Sequence, residues 1–142
     1  GSFDPIELSS MYKKISENNN DLIFASRYEK NCSSEDDTLI TYLGNFIFTK
    51  IGQIFFNLKI TDILYTFVMG NTSKVQNLNL IYKDFSFCVE LPIKAKKNKL
   101  LLTTSKSNER ARIGGKKKVN AFKDGFLILK SMINLFFNKN WR

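Results

Sequence analysis

The stretch Leu22-Ile23-Phe24-Ala25-Ser26 decides the fold class of this chain. It is a continuous apolar run of strand length, bounded by the turn signal Asn18-Asn19-Asn20 and by Arg27, which is typical of a strand buried on both faces. The segment before it begins with Asp4-Pro5, a helix N-cap followed by Pro at the first position, and continues with apolar residues at helical spacing. A helix that leads into a buried, parallel-type strand predicts an α/β fold.

The rest of the chain extends this α/β pattern. Between Ile60 and Gly70, β-branched and aromatic residues favour a strand or an irregular loop over a helix. Apolar spacing and capping residues predict four further helices and one further strand. The helices are Leu39 to Phe56 with Asp36 or Asp37 near its cap, a short helix from Asn71-Thr72 through Leu80, Phe85 to Lys97 with Pro92 near its first turns or kinking it, and Val119 to Phe137; the strand is Leu100 to Ser105.

The composition limits the chemistry. The chain has 142 residues, 43% hydrophobic and 25% charged, so we expect residues 1–142 to form one packed domain. It contains no His, which excludes a His-based triad and leaves a carboxylate, Lys, Tyr or Cys as any catalytic base. Because Cys32 and Cys88 form no CxxC pair, we predict two free thiols in a reducing cytoplasm and no metal site within this chain.

Aromatic residues are abundant for this length, with 13 Phe and five Tyr. They supply more apolar surface than a small core needs, which predicts that a partner or a lipid covers part of it. The segment Gly125 to Phe137 is interrupted by Lys130 and flanked by Lys123 and Lys139, so it is suited to lie on a membrane and not to span one. A cytoplasmic location, peripheral at the cytoplasmic membrane face, is the expectation.

The most basic segment runs from Arg110 to Lys118 and joins a predicted strand to a predicted helix. It carries Arg110, Arg112 and three consecutive lysines that include Lys117, with Gly114-Gly115 between them. Arg presents a planar fork that matches phosphate oxygens, Lys adds a point charge, and glycines let the backbone approach a ligand. The segment therefore suits a diphosphate, with a solvated basic loop as the alternative. It matches neither a Walker loop nor GxGxxG.

Three other residues are candidates for chemistry. Glu90 lies in an apolar stretch, Phe85 to Ile93, where a carboxylate can act as a base or position a hydroxyl; an exposed or salt-bridged Glu is the alternative. Asp62 is a second candidate acid, or else a capping or turn aspartate. Arg27 follows the first strand, where α/β proteins tend to bind ligands, so it is suited to bind either a phosphate or a neighbouring carboxylate.

Taken in order, five segments of the chain resemble the family 2 glycosyltransferases, in particular the polyprenyl-phosphate sugar transferases. Leu22 to Tyr28 is similar to a family segment that ends in Gly-Ser-Arg-Tyr, with Ala25 where Gly is usual. Gly1 to Pro5 looks like the stretch after the metal-binding DxD, and Ile60 to Phe67 resembles the acceptor-site segment, although Val68 stands near the place of the usual basic residue. The last two segments are Phe85 to Leu91, which includes Glu90, and Glu109 to Lys118, which lacks the usual Ser.

This resemblance implies the C-terminal, acceptor-side half of a nucleotide-sugar-binding (GT-A) α/β fold. The implied activity is an inverting transfer of a sugar from a nucleotide-diphosphate sugar to a polyprenyl phosphate or a glycan. Glu90 and Asp62 would act on the acceptor, and Arg27, Arg110, Arg112 and Lys117 would bind phosphate. The full-length enzyme is expected to hold a divalent cation, Mg or Mn, through a DxD. This chain has no DxD, so we expect it to be an inactive fragment by itself.

The formal charge of +9 also favours a second class of function, a basic binding module for an anionic membrane surface or for nucleic acid. The sequence contains no RNP, KH or zinc-finger pattern, and most aromatics lie in apolar runs typical of a core. We therefore predict no nucleic-acid partner. Contact with a membrane surface is compatible with either function.

Overall fold

The apolar run Leu22–Ser26 (β1) is the central strand of a small sheet. The computed structural model describes residues 2–111, 114–115 and 119–138. Within these residues the protein is a mixed α/β fold with five helices and a three-stranded mixed sheet. The remaining elements are the helices Glu7–Asn18 (α1), Leu39–Phe56 (α2), Thr72–Gln76 (α3), Phe87–Lys97 (α4) and Ala121–Phe137 (α5), and the strands Val68–Gly70 (β2) and Leu102–Lys106 (β3).

The sheet has the order β2-β1-β3. β1 pairs in parallel with β3, from Leu22 opposite Leu102 to Ser26 opposite Lys106. It pairs antiparallel with β2, where Phe24 lies opposite Val68. All five residues of β1 are buried, which confirms the strand predicted from its continuous apolar run. Because β1 and β3 are parallel, their carboxyl ends meet at one edge of the sheet.

Alternate side chains of β1 point to opposite faces of the sheet, as the strand period requires. Leu22 and Phe24 belong to the larger core, which α4 and α5 complete with residues such as Val89 and Met132. Ile23 and Ala25 belong to a smaller cluster with Met11 of α1. The sheet therefore lies between α1 on one face and the helices α4 and α5 on the other. The helix α2 packs against α4 and α5.

The helices agree closely with the prediction, and the differences lie at their ends. α1 begins at Glu7 with Ile6 as its cap residue, so the prediction of Asp4 as the cap and Pro5 as the first helical residue was wrong. α2 has the predicted bounds, and Asp36 and Asp37 lie near its cap as predicted. The cap itself is Thr38, whose hydroxyl accepts from the Thr41 N–H at 3.3 Å. Asn71 caps α3 as predicted. α3 ends at Gln76 and not at Leu80, and both α4 and α5 begin two residues later than predicted. The strand β3 runs from Leu102 to Lys106 and not from Leu100 to Ser105.

α2 is unusual in the face that it buries. Its buried residues are Asn45, Thr49 and Gly52, whereas most of its predicted apolar stripe is exposed, for example Leu39 and Ile54 at 81% and 73%. A surface helix of a globular protein ordinarily presents its apolar stripe to the core. Phe48, Ile51 and Phe56 do pack against the core, but the fully buried side of α2 is polar, so polar contacts also set the orientation of the helix.

The two glycines of α2 provide a matched test of this packing. A Cβ at Gly52 would lie 2.9 Å from Ile63 Cδ1 and 3.1 Å from Leu58 Cδ1, whereas a Cβ at Gly44 would meet nothing within 4 Å. We expect Gly44→Ala to raise the free energy of unfolding by about 0.5–1 kcal/mol through helix propensity. The free energy of unfolding of Gly52→Ala should be at least about 1 kcal/mol lower than that of Gly44→Ala, because the added methyl group overpacks the core. Chemical denaturation of both variants measures the difference, and equal stabilities would contradict the close packing at Gly52.

Candidate functional site

Arg27 is the first residue after β1, and its side chain is buried. Its guanidinium forms a bidentate ion pair with the Asp62 carboxylate: Nε donates to Oδ2 at 2.8 Å and NH2 donates to Oδ1 at 3.0 Å. The Arg27 backbone N–H donates to the same carboxylate at 3.1 Å. NH1 donates to Glu109 Oε2 at 2.8 Å. The sequence left open whether Arg27 binds a phosphate or a carboxylate, and in this structure carboxylates hold it.

Asp62 is 1% exposed, and the polar face of α2 completes its surroundings. Asn45 of α2 donates its side-chain amide to Asp62 Oδ1 and accepts from the Leu64 N–H at 3.1 Å. One turn later, Thr49 accepts from the Ile63 N–H at 3.2 Å. Asn45 and Thr49 are therefore buried because they satisfy the turn that carries Asp62. Sequence periodicity did not identify Asn45, since an Asn within an apolar helix has no obvious partner nearby in the chain.

Two further carboxylates lie around the guanidinium. Glu109 lies three residues beyond β3, where it also accepts from the Ser34 hydroxyl at 2.6 Å. Asp37 lies 3.5 Å from Arg27 NH1 and accepts from the Tyr28 hydroxyl. Three carboxylates thus surround one buried cation. Glu109 begins the segment Glu109 to Lys118, but the sequence does not predict that it pairs with Arg27.

Burial and neighbouring charges shift the pKa values of Arg27 and of the two tyrosines beside it. Burial by itself would lower the pKa of Arg27, but its hydrogen bonds with Asp62 and Glu109 outweigh it and raise the pKa above the usual value. Burial, together with the hydrogen bond to Asp37, raises the pKa of Tyr28. Burial also raises the pKa of Tyr65, whose ring lies 4.4 Å from Arg27 Cζ. Both phenols therefore stay protonated at neutral pH and can donate hydrogen bonds.

A cavity of about 240 Å³ opens beside this cluster. Its polar wall includes Arg27, Asp36, Asp37 and Glu109, and α2 contributes Asn45. The apolar part of its lining includes Phe3, Leu64, Phe67, Phe85, Val119 and Ile128. Cys88 also lines the cavity, but burial raises the pKa of its thiol to about 11, so it is not a thiolate nucleophile near neutral pH. The lining combines hydrogen-bond acceptors with apolar surface, as small-molecule sites do.

The basic segment begins beside this cavity. Arg110 directly follows Glu109, its backbone N–H donates to the Ser2 carbonyl at 2.6 Å, and its exposed guanidinium pairs with Asp4. The Ala111 N–H donates to Glu35 Oε2 at 3.0 Å. Two of the predicted phosphate-binding residues, Arg112 and Lys117, lie outside the described residues. The structure therefore brings Arg27, Asp62 and Arg110 to one end of the sheet.

Glu90 has a different environment. It is completely buried in α4, accepts from the N–H groups of Ile81 and Tyr82 at 2.9 Å each, and lies 2.8 Å from Lys94 Nζ. Lys94 in turn donates to the Asn79 carbonyl at 2.6 Å. These contacts hold the chain before α4 against the helix. Glu90 is not among the residues that line the cavity, and its role at an acceptor site stays a prediction.

No group of three or more Cys, Asp or Glu side chains suited to hold a metal ion occurs in the described part of the chain. The divalent cation expected in a full-length enzyme was assigned to a DxD that this sequence does not contain. That expectation therefore stays a prediction.

Comparison with known proteins finds no match to this chain among family models, curated protein sequences or solved structures. The resemblance to family 2 glycosyltransferases thus depends on the motifs of the sequence.

The Arg27–Asp62 fork can be tested against an exposed pair. We expect Asp62→Asn to lower the free energy of unfolding by about 3 kcal/mol, because it leaves a buried guanidinium without its bidentate partner. Asp4→Asn makes the same chemical change at the exposed pair with Arg110 and should cost less than about 1 kcal/mol. Urea denaturation of both variants gives the comparison. Similar small losses would show that the buried fork does not hold the site together.

Proposed function

We propose that this chain is the acceptor-side part of a glycosyltransferase with a GT-A-like fold. The observation that supports this most is the meeting of Arg27, Asp62 and Arg110 at the carboxyl ends of the parallel strands β1 and β3, beside a cavity. In open α/β sheets, ligands bind in crevices outside the carboxyl ends of the strands. Each of these three residues belongs to a different motif of the resemblance, and their motifs are far apart in sequence.

The charges divide the proposed site into two zones. The cavity wall carries more carboxylates than cations, so it suits hydroxyl groups that donate hydrogen bonds and disfavours a phosphate. Arg110, the exposed residue directly after the cavity-lining Glu109, suits phosphate oxygens at the rim. A glycan acceptor would therefore occupy the cavity, with the diphosphate of the donor at the rim. A polyprenyl phosphate acceptor would instead keep its phosphate at the basic rim.

The proposed reaction assigns different roles to the carboxylates. The acceptor oxygen forms a bond to the anomeric carbon while the bond from that carbon to the diphosphate breaks. The hydroxyl proton passes to a carboxylate of the cavity wall, for which Asp36 and Asp37 are the candidates. Asp62 is a positioning residue, because it is 1% exposed, does not line the cavity, and binds Arg27 and Asn45 through its two oxygens. Arg27 likewise positions Glu109, and a phosphate would have to displace a carboxylate to reach its guanidinium.

This chain by itself should be inactive as a transferase. The proposed transfer requires a nucleotide-binding half with metal ligands that this sequence does not contain, so the purified chain should release no nucleoside diphosphate from any nucleotide sugar at any concentration of Mg or Mn. The same assay on a chain extended by its upstream half should detect turnover. Turnover by the chain of 142 residues would overturn the proposed division between donor and acceptor sides.

The second expected outcome concerns Arg110 in the extended enzyme. If Arg110 binds a diphosphate with charge-assisted hydrogen bonds, Arg110→Ala should lower kcat/KM by roughly 10- to 150-fold, as expected for about 1.5–3 kcal/mol. Arg110→Lys should rescue it poorly, because an ammonium cannot reproduce the bidentate fork. Stability should change by less than about 0.5 kcal/mol, since the side chain is exposed.

Lys13→Ala is the control for Arg110, because Lys13 is an exposed cation on α1 that pairs only weakly with Glu17, at 3.8 Å. It should leave kcat/KM unchanged. Activity near the original level in both Arg110 variants would remove Arg110 from the proposed phosphate site.

A further inference from the structure

The surface formed by α2 and α5 has no partner within the described residues. Of the 22 large hydrophobic side chains that are exposed among residues 2–111, 114–115 and 119–138, eight lie on α2 and six on α5. They include the most exposed, such as Leu39 at 81% and Phe122 at 83%. Soluble monomers rarely expose so much contiguous apolar surface, and larger patches mark interaction sites. We call this surface the α2–α5 face.

The α2–α5 face is continuous across the two helices. Phe136 of α5 lies edge-on to Phe55 and Phe56 of α2, with ring centroids 5.8 and 6.0 Å apart. At the other end of the interface, Gly125 of α5 faces the ring of Phe48. The helices therefore run side by side in the same direction. Between them lies a groove of about 260 Å³, and the described residues that line it are all apolar side chains of α2 and α5, among them Ile51, Leu129 and Ile133.

The charge on the α2–α5 face has one sign. α2 contains no Asp or Glu, and the only carboxylate of α5, Asp124, is buried and accepts from the Asn120 N–H. The charged groups that remain exposed on the two helices are Lys50, Lys123 and Lys130. An apolar surface set with lysines and free of exposed carboxylates is complementary to an anionic lipid surface. A second copy of the chain on this face would bring like charges together.

The polar contacts of α2 determine how it could meet a lipid. By length and composition, α2 is apolar enough to cross a membrane. However, Asn45 and Thr49 bind it to Asp62, Ile63 and Leu64 of the domain. These hydrogen bonds hold one side of α2 on the polar cluster, so only its outer side is available to hydrocarbon. The helix is therefore suited to lie in the interfacial plane.

From these observations we propose that the α2–α5 face docks onto the surface of an anionic lipid bilayer, with both helices parallel to the membrane plane. The apolar side chains enter the boundary between headgroups and acyl chains, and the three lysines contact anionic headgroups. This inference does not depend on sugar transfer. If the proposed function also holds, docking brings the cavity close to the membrane, because α2 and α5 both contribute residues to its wall.

The test is flotation of the purified chain with vesicles of phosphatidylcholine alone and with vesicles that contain one third phosphatidylglycerol, at low and high salt. The chain should partition at least about tenfold more strongly into the anionic vesicles at low salt, and this preference should shrink at high salt. Replacing Lys50, Lys123 and Lys130 together by Gln should remove the preference for anionic vesicles. Each lysine contributes about fivefold to binding, so the triple variant should bind these vesicles roughly 100-fold more weakly. Equal binding to both kinds of vesicle, or none to the anionic vesicles, would overturn the proposal.

A matched pair of double variants locates the surface. Ile54→Gln with Phe126→Gln changes one side chain on each helix of the face, 73% and 68% exposed, and should lower binding at least about tenfold. Ile6→Gln with Tyr12→Gln changes two side chains of similar exposure, 74% and 67%. Ile6 directly precedes α1 and Tyr12 lies on it, on the opposite side of the sheet, so this double variant should leave binding unchanged. Thermal melting followed by circular dichroism verifies that all variants stay folded.

Two results of this comparison would contradict the α2–α5 face as the docking surface. One is equal loss of binding in the two double variants. The other is an oligomer, detected by sedimentation equilibrium, that Ile54→Gln with Phe126→Gln converts to a monomer while the unaltered chain binds no vesicles. In that case a second copy covers the face.

Discussion

The bidentate ion pair between Arg27 and Asp62 is the constraint on which the rest of this structure depends. A buried guanidinium must keep its charge and must find acceptors for its N–H groups, since an unpaired buried charge is strongly destabilising. Arg27 finds them on two segments distant in sequence, at Asp62 and at Glu109. Through these two partners, Arg27 joins the end of β1 to the turn after α2 and to the segment after β3.

Asp62 in turn explains the orientation of α2. A carboxylate that is 1% exposed needs its remaining acceptor capacity filled, and Asn45 supplies a donor. Once Asn45 and Thr49 face the cluster, the 3.6-residue period of the helix turns Leu39, Ile54 and Phe55 outward. The apolar surface of α2 is thus a consequence of a buried polar requirement. One helix supplies a wall of the cavity on one side and a surface suited to lipid on the other.

A second buried ion pair, between Glu90 and Lys94, stabilises the structure at a different place. Both residues belong to α4, and together they satisfy backbone groups of the chain from Asn79 to Tyr82 that no regular element pairs. Buried backbone N–H and C=O groups require such partners. In a protein with a sheet of only three strands, side-chain networks take over part of the pairing that a larger sheet would provide. The sequence left open whether Glu90 acts chemically or is exposed or salt-bridged, and in the structure it is buried and salt-bridged with Lys94.

The sequence by itself determined that the fold is mixed α/β and where nearly every element lies, because these depend on local patterns. The continuous apolar run of β1, the helical spacing in α2 and the Asn71 cap of α3 each act within a few residues of chain. It also identified Arg27 and Asp62 as residues of interest, since charged groups at the edge of apolar segments are conspicuous. Only the tertiary structure decided that these two residues bind each other, that Glu109 and Asn45 join them, and that the apolar stripe of α2 faces outward. The physical reason is that partners 35 and 82 positions away in sequence meet only after the parallel pairing of β1 and β3 and the packing of α2. Periodicity shows that a helix has two faces, but which face is buried depends on what the neighbouring elements require.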